Sequence, residues 1–241
     1  MLHPSVEGRR VAFFGGSFDP PHCGHLAVAR AARDALGLDQ VLFAPVGAQP
    51  LKPHGSTAGF ADRLAMTQLA IANDPAFAIS LADAPAAGVP DIPNYTINTL
   101  LHMRAEMPAQ DSLFCLMGAD SFLSLNQWHR GAEVPFVAPL IVASRPGQRL
   151  GDLTAVLPAG LSLDGEANET ARCAATEVHT CTLRNAGGDT APFYLLPGLH
   201  VDISASEIRR QVHAALGRLP AGHELLPDAV SAYIAAHGLY R

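Results

Sequence analysis

No uninterrupted apolar stretch in this sequence approaches the ~20 residues of a membrane-spanning helix. The short run Val11 to Phe14 is ended by Gly15 and Gly16, well short of the ~7–15 apolar residues of a signal-peptide core. Together the two absences make a cytoplasmic protein with no membrane partner the expectation. Charge is also scarce: 16% of the 241 residues are charged, against 49% apolar, and the formal net charge of -6 comes from interspersed acids and bases. That balance suits a packed globular enzyme rather than a disordered chain, and it offers no broad cationic face for long nucleic acid. The four cysteines, Cys23, Cys115, Cys173 and Cys181, lack the paired spacing of a disulfide scaffold. Cys115 sits in an apolar run and reads as a small core hydrophobe. Cys173, His179 and Cys181 lack a fourth partner at a recognised zinc spacing, so no metal site is read there. No repeat is evident, and the question of a homo-oligomer stays open.

What is present is alternation. Short β-rich runs at Arg10–Phe14, Gln40–Val46, Phe77–Leu81, Leu113–Met117 and Leu140–Ala143 are separated by helical-period segments at His25–Leu36, Ala61–Ala72, Ile97–Glu106 and Ser121–Trp128. Such alternation predicts βαβ units and a Rossmann-like, doubly wound parallel sheet, with ligand loops along the edge formed by the strand ends. The length fits either one α/β domain with insertions or two small domains, and a single domain spanning 1–241 is the expectation. Residues 151–189, rich in Gly, Ala, Thr and Asp with weak periodicity, read as an insertion or long surface loop. Apolar runs resume at Pro192–Leu196 and His200–Ile203. A helical part over 204–241 follows, with helices from Ser206 to Leu216 and from Pro227 to Ala236.

The chemistry gathers after the first strand, in Gly15-Gly16-Ser17-Phe18-Asp19-Pro20-Pro21-His22-Cys23-Gly24-His25. Paired glycines let backbone amides approach a bulky anion, and the helix that starts next adds a partial positive charge. His22 and His25, three apart with Gly24 between them, can face the same anion from one side of that helix. Imidazoles donate hydrogen bonds to oxygens whose charge grows during phosphoryl transfer. The loop is neither a Walker P-loop, lacking Gly-Lys-Ser/Thr, nor a Gly-x-Gly-x-x-Gly dinucleotide fingerprint. A second anion site is suggested where Ser204 ends a strand-like run and a helix begins, with Ser206 and Arg209 in its first turn. The plainer alternative there is a serine N-cap completed by Glu207.

The segment Gly15 to His25 resembles the His-x-Gly-His signature of the nucleotidyltransferase superfamily, and in its fuller form that of the nicotinate mononucleotide adenylyltransferases. Further landmarks of that family stand in its order: Lys52 in Pro50-Leu51-Lys52-Pro53, Arg63 in Asp62-Arg63-Leu64, Tyr95-Thr96-Ile97-Asn98-Thr99-Leu100, Met117-Gly118-Ala119-Asp120-Ser121, Trp128, Ser144-Arg145-Pro146-Gly147, Ile203 to Arg209, and the ending through Tyr233 to Tyr240. The resemblance covers nearly all of the chain apart from 151–189.

It implies transfer of AMP from ATP to nicotinate mononucleotide, giving deamido-NAD and pyrophosphate, with magnesium and without a covalent enzyme intermediate. By resemblance His22, His25 and Ser17 act on the transferring phosphate. Gly15, Gly16, Ser17, Phe18, Gly118, Asp120, Ser204, Ser206 and Arg209 would bind ATP. Lys52, Tyr95, Thr96, Trp128 and Arg145 would bind the mononucleotide, with the Trp128 indole suited to stacking on a cationic pyridine ring. The sequence departs from the family at Leu51, where a histidine is usual, and at Ala205, where a serine hydroxyl is missing. Read alone, Thr96 and Asp120 are also N-cap candidates, Trp128 a core residue, and Lys52 and Arg145 surface cations. Acceptors that share the loop chemistry are phosphopantetheine, the amidated nicotinamide mononucleotide and the substrates of cytidylyltransferases. A non-catalytic nucleotide sensor is the alternative of another class.

Overall fold

In a computed structural model, residues 8–51, 55–85, 93–144, 155–173, 176–199, 203–215 and 225–241 are described, with backbone only for 165–173 and 176. Eight strands form one sheet in the order β3-β2-β1-β4-β5-β8-β7-β6. β1 (Arg10–Gly16), β2 (Gln40–Pro45), β3 (Phe77–Ile79), β4 (Ser112–Gly118), β5 (Leu140–Ala143) and β8 (Thr190–Leu196) run parallel. β7 (Thr176–Asn185) and β6 (Leu161–Cys173) add antiparallel strands at one end. The parallel part is doubly wound, as expected, and its chain order reverses between β1 and β4. A crevice therefore opens at the carboxyl ends of those two strands.

Alternation within the strands sorts the core into two layers. Phe14 and Ala12 of β1 face one apolar cluster with α1 (Cys23–Leu36), α2 (Phe60–Ile71), α6 (Ala205–Ala214) and α7 (Asp228–His237). Phe13, Cys115 and Met117 face the other, with α3 (Thr96–Glu106), α4 (Ala119–Leu123) and α5 (Val134–Val137). Cys115 is buried there as expected, and burial pushes its thiol up to about 12, so it is an inert packing residue. Helix α1 stops where Gly37 turns left-handed at φ 59° and its amide returns to the Arg33 carbonyl. No described helix is long and apolar enough to cross a membrane.

Two expectations need correction. The 151–189 stretch contributes core strands rather than only a surface loop: β6 and β7 form a hairpin paired to β8, and Val178, Cys181 and Leu183 are buried. Their apolar positions are few and separated by threonines and His179, so periodicity alone is weak; the cover comes from neighbouring strands and helices. The helix predicted over Ser121–Trp128 is broken, with α4 ending at Leu123 and a 3₁₀ turn spanning Leu125–Gln127. Of the run 200–203 only Ile203 is described, and it lies outside any strand.

Candidate active site

The loop from Gly15 to His22 leaves β1 at the switch point and enters α1 through an extended His22. Its glycines leave little room for a side chain. A Cβ on Gly15 would lie 2.8 Å from the Phe13 ring, and one on Gly16 would lie 3.2 Å from the Phe18 ring. Phe18 itself has φ 46° and is 1% exposed, with its ring against Phe14, Phe43 and His25. Its side chain is thus a floor beneath the loop, which leaves only its backbone to meet a ligand.

The two histidines meet. Their rings stack with centroids 3.7 Å apart, and the His22 backbone N–H donates to Nδ1 of His25 over 3.2 Å. In neutral His25 the proton is thereby assigned to Nε2, which leaves that nitrogen as a donor. Burial lowers the pKa of His22 to about 4. Burial, then the neighbouring His22, pushes His25 well below the ordinary imidazole value, although its ring is partly open to the cavity. Both rings are neutral hydrogen-bond donors at neutral pH.

Buried groups fix the loop from below. Arg63 on α2, 2% exposed, donates to the carbonyls of Ser17 (2.7 Å), Val46 (2.8 Å) and Ala58 (3.2 Å). Burial works against its charge, while Asp19 and Tyr240 favour it. The Ser17 hydroxyl donates to Gln49. Arg209 on α6 donates to the Asp19 carbonyl (2.6 Å) and to Ser206 Oγ (3.1 Å). Ser204 is the N-cap of α6 but makes no side-chain capping bond, and Glu207 pairs with Arg210 and Gln211. The capping-box alternative is therefore not formed, and Ser204, Ala205 and Ser206 at this helix start line the cavity.

One cavity of about 1080 Å³ gathers these elements. Gly15, Gly16, Ser17, His22 and His25 line one wall, Gly118 and Asp120 the β4 end, and Ser204, Ser206 and Arg209 the α6 start. Tyr95, Thr96 and Trp128 line the remaining side. Trp128 donates its indole N–H to Ser124 Oγ over 3.2 Å, which fixes the plane of the ring. Thr96 is the first residue of α3, after Tyr95 as N-cap, and Asp120 is the second of α4, after Gly118; neither is the cap considered for it. Lys52 and Arg145 lie outside the described residues.

Several site residues had no assigned role in the sequence. Asp83 lines the cavity, with Thr99 Oγ1 donating to its carboxylate over 2.5 Å, and burial pushes its pKa up. His129 lines it too, its ring 4.5 Å from that of Tyr95. Among the described residues, His22 Nδ1 and Ser144 Oγ are the buried side-chain polar atoms without a hydrogen-bond partner, and both residues line this cavity. Buried polar atoms are normally satisfied, so these two are exceptions, both in residues beside the cavity. Only Ser144 carried a sequence signal, through its place beside Arg145.

A phosphate-sized loop, two neutral imidazole donors and a second cationic helix start around one cavity define the nucleotidyltransferase class. In agreement, the profile of the cytidylyltransferase-like family matches residues 13–211. A Gloeobacter violaceus protein named "Probable nicotinate-nucleotide adenylyltransferase" is 38% identical over 234 residues, 97% of each chain. One of the same name from Trichlorobacter lovleyi is 35% identical over 232 residues, 96% of this chain and 99% of its own. The chain belongs to the nicotinate-nucleotide adenylyltransferase family. The fold is shared with the Plasmodium falciparum nicotinic acid mononucleotide adenylyltransferase complexed with NaAD, at TM-score 0.66 and 16% identity over 96% of this chain and 97% of that one.

Proposed function

We propose that this enzyme transfers AMP from ATP to nicotinate mononucleotide, forming deamido-NAD and pyrophosphate, with His22 and His25 acting on the transferring phosphate. The observation that carries the assignment of the histidines is their stacked, neutral pair at the start of α1, facing the cavity that Trp128 and Arg209 also line. A phosphate oxygen of the mononucleotide attacks the α-phosphorus of ATP; the bond from that phosphorus to the bridging oxygen breaks, and pyrophosphate leaves with the electron pair. Such displacement needs positioning and charge neutralisation more than a protein nucleophile. The imidazole N–H groups donate to the α-phosphate oxygens as their charge grows, with Ser17 and the amides of Gly15 and Gly16 beside them. Ser204, Ser206 and Arg209 hold the β- and γ-phosphates, and Gly118 and Asp120 border the nucleoside. Trp128 stacks on the pyridine ring, and Tyr95 and Thr96 flank its carboxylate. Lys52 and Arg145 are assigned to the acceptor by family resemblance.

Magnesium belongs to this proposal as a companion of ATP. Among the described residues no three His, Cys, Asp or Glu side chains gather to hold a metal ion. We assign the cation to the triphosphate itself, as is usual for one that keeps several waters. When bound it neutralises charge on the outer phosphates. We place the reaction in the cytoplasm, where ATP is supplied.

The test is turnover with ATP, magnesium and either the acid or the amide mononucleotide, read as dinucleotide and pyrophosphate. The acid should be preferred, and equal or better use of the amide would overturn the acceptor assignment. His22→Ala and His25→Ala should each lose about a hundredfold or more in kcat with the fold intact. Near-normal rates in both variants would remove the histidines from the chemistry.

A further inference from the structure

Asp19 is a buried carboxylate, 4% exposed, in the middle of the phosphate loop. Its Oδ2 accepts the Thr57 N–H over 2.6 Å, and its Oδ1 accepts the Ala58 N–H over 3.1 Å and the Tyr240 hydroxyl over 2.7 Å. Tyr240 follows α7 and is separated from Asp19 by 221 positions. It is 9% exposed and has φ 62°, a backbone conformation a tyrosine rarely adopts, so the packing around it holds its ring in place. Burial and the adjacent carboxylate both push the pKa of this phenol up, which keeps it a proton donor.

Among the described residues, Arg209 is the other charged group at this carboxylate, with Arg63 beneath the loop. Its Nη1 donates to the Asp19 backbone carbonyl at 2.6 Å but stands 3.9 Å from Oδ2, too far for a hydrogen bond. Arginine and carboxylate frequently close into a bidentate pair. Here the Thr57 and Ala58 amides and the Tyr240 hydroxyl hold the carboxylate in its orientation, with one donor on Oδ2 and two on Oδ1, and the guanidinium instead bonds the carbonyl and Ser206, at the cavity wall.

We infer that Tyr240 is a positioning residue: its hydroxyl occupies Asp19 and thereby leaves the Arg209 guanidinium available to the outer phosphates of a nucleotide triphosphate. This rests on the assignment of Arg209 to the triphosphate, but not on the identity of the acceptor. Without the hydroxyl, Asp19 loses the one side-chain donor that the described residues give it, on Oδ1, and its carboxylate can turn toward the guanidinium that stands 3.9 Å from Oδ2. Arg209 is then the nearest replacement, and the bidentate pair that forms draws it out of the cavity.

The experiment compares Tyr240→Phe with Tyr233→Phe. Tyr233 is a matched control, because its hydroxyl also ties α7 to an aspartate, Asp62 on α2, at 3.0 Å, and it does not line the cavity. Binding of inorganic tripolyphosphate is measured by calorimetry, which needs no acceptor and no turnover, beside the KM for each substrate. Tyr240→Phe should weaken tripolyphosphate and raise the KM for ATP about tenfold, the scale of one hydrogen bond to a charged group. It should leave the KM for the mononucleotide unchanged, and Tyr233→Phe should change none of the three. Unchanged tripolyphosphate binding in Tyr240→Phe overturns the inference. So does equal weakening in both variants, which would make the effect general tethering of α7. If the parent chain binds tripolyphosphate but turns over no mononucleotide, the reaction assignment fails while the inference stands. If Arg209→Ala does not weaken tripolyphosphate binding, the inference falls with its premise.

Discussion

The ionisation of two imidazoles sets much of the behaviour of the site at the residue scale. Folded His22 titrates at about 4 because burial strips its cation of water, whereas an exposed imidazole titrates at 6.5. Between those values the unfolded chain binds a proton that the folded chain excludes, so stability rises with pH across the window. It is fully present above 6.5 and is lost as pH falls toward 4, by up to about 3 kcal/mol for this group. His25, also pushed down, acts in the same direction. Without ligand, the urea midpoint of the parent should therefore fall more between pH 7 and pH 4.5 than that of His22→Gln; parallel curves would show that His22 does not titrate as its burial dictates. The same neutrality defines the chemistry. A pair of imidazolium rings stacked at 3.7 Å would repel each other, whereas neutral rings can stack and still present N–H groups to phosphate.

Elements were legible where hydrophobic period was strong. The βαβ run from β1 to β5 stands within a few residues of its sequence reading, because each strand is apolar on both faces and each of the longer helices has a clear buried stripe. The β6–β7 hairpin was not, because its burial is supplied by β8 and the flanking helices and not by its own pattern. Leu183, fully buried on β7, tests this: Leu183→Ala should cost about 2–5 kcal/mol in chemical denaturation, as in a true core. A cost near zero would return the hairpin to the surface. The short α4 shows the opposite failure, since a helical pattern over 121–128 meets a loop that must aim Trp128. That aim is set by Gly131, where a Cβ would strike the Leu125 carbonyl at 2.1 Å, and by the left-handed Arg130 before it.

Across the whole molecule, the cavity joins the two ends of the proposed reaction along the open edge of the sheet. Trp128 reaches it from the layer of α3, α4 and α5, and Arg209 from the opposite layer. The two should therefore separate in kinetics. Trp128→Ala is expected to raise the KM for the mononucleotide roughly tenfold, the scale of a desolvated cation–π contact, with little change for ATP. Arg209→Ala is expected to do the reverse. Initial-rate measurements with each substrate varied in turn check this, and a common change in both KM values would mean the cavity is not divided this way.

The sequence by itself determined the fold class, the phosphate loop and the family resemblance, because these depend on local period and on residues adjacent in the chain. His22 and His25 could be paired from their spacing alone, and Ser204 to Arg209 from the start of a helix. Tertiary structure decided what supports them. Arg63 and Tyr240 stand in the sequence as landmarks without work to do, since the phosphate loop they hold, through Ser17 and Asp19, lies 46 and 221 positions away. The place of the Phe18 ring beneath the loop, against Phe14, Phe43 and His25, is likewise a tertiary fact. Contacts between distant residues carry no local signature: a buried arginine and an exposed one are the same letter, and only the folded chain shows which carbonyls an arginine satisfies.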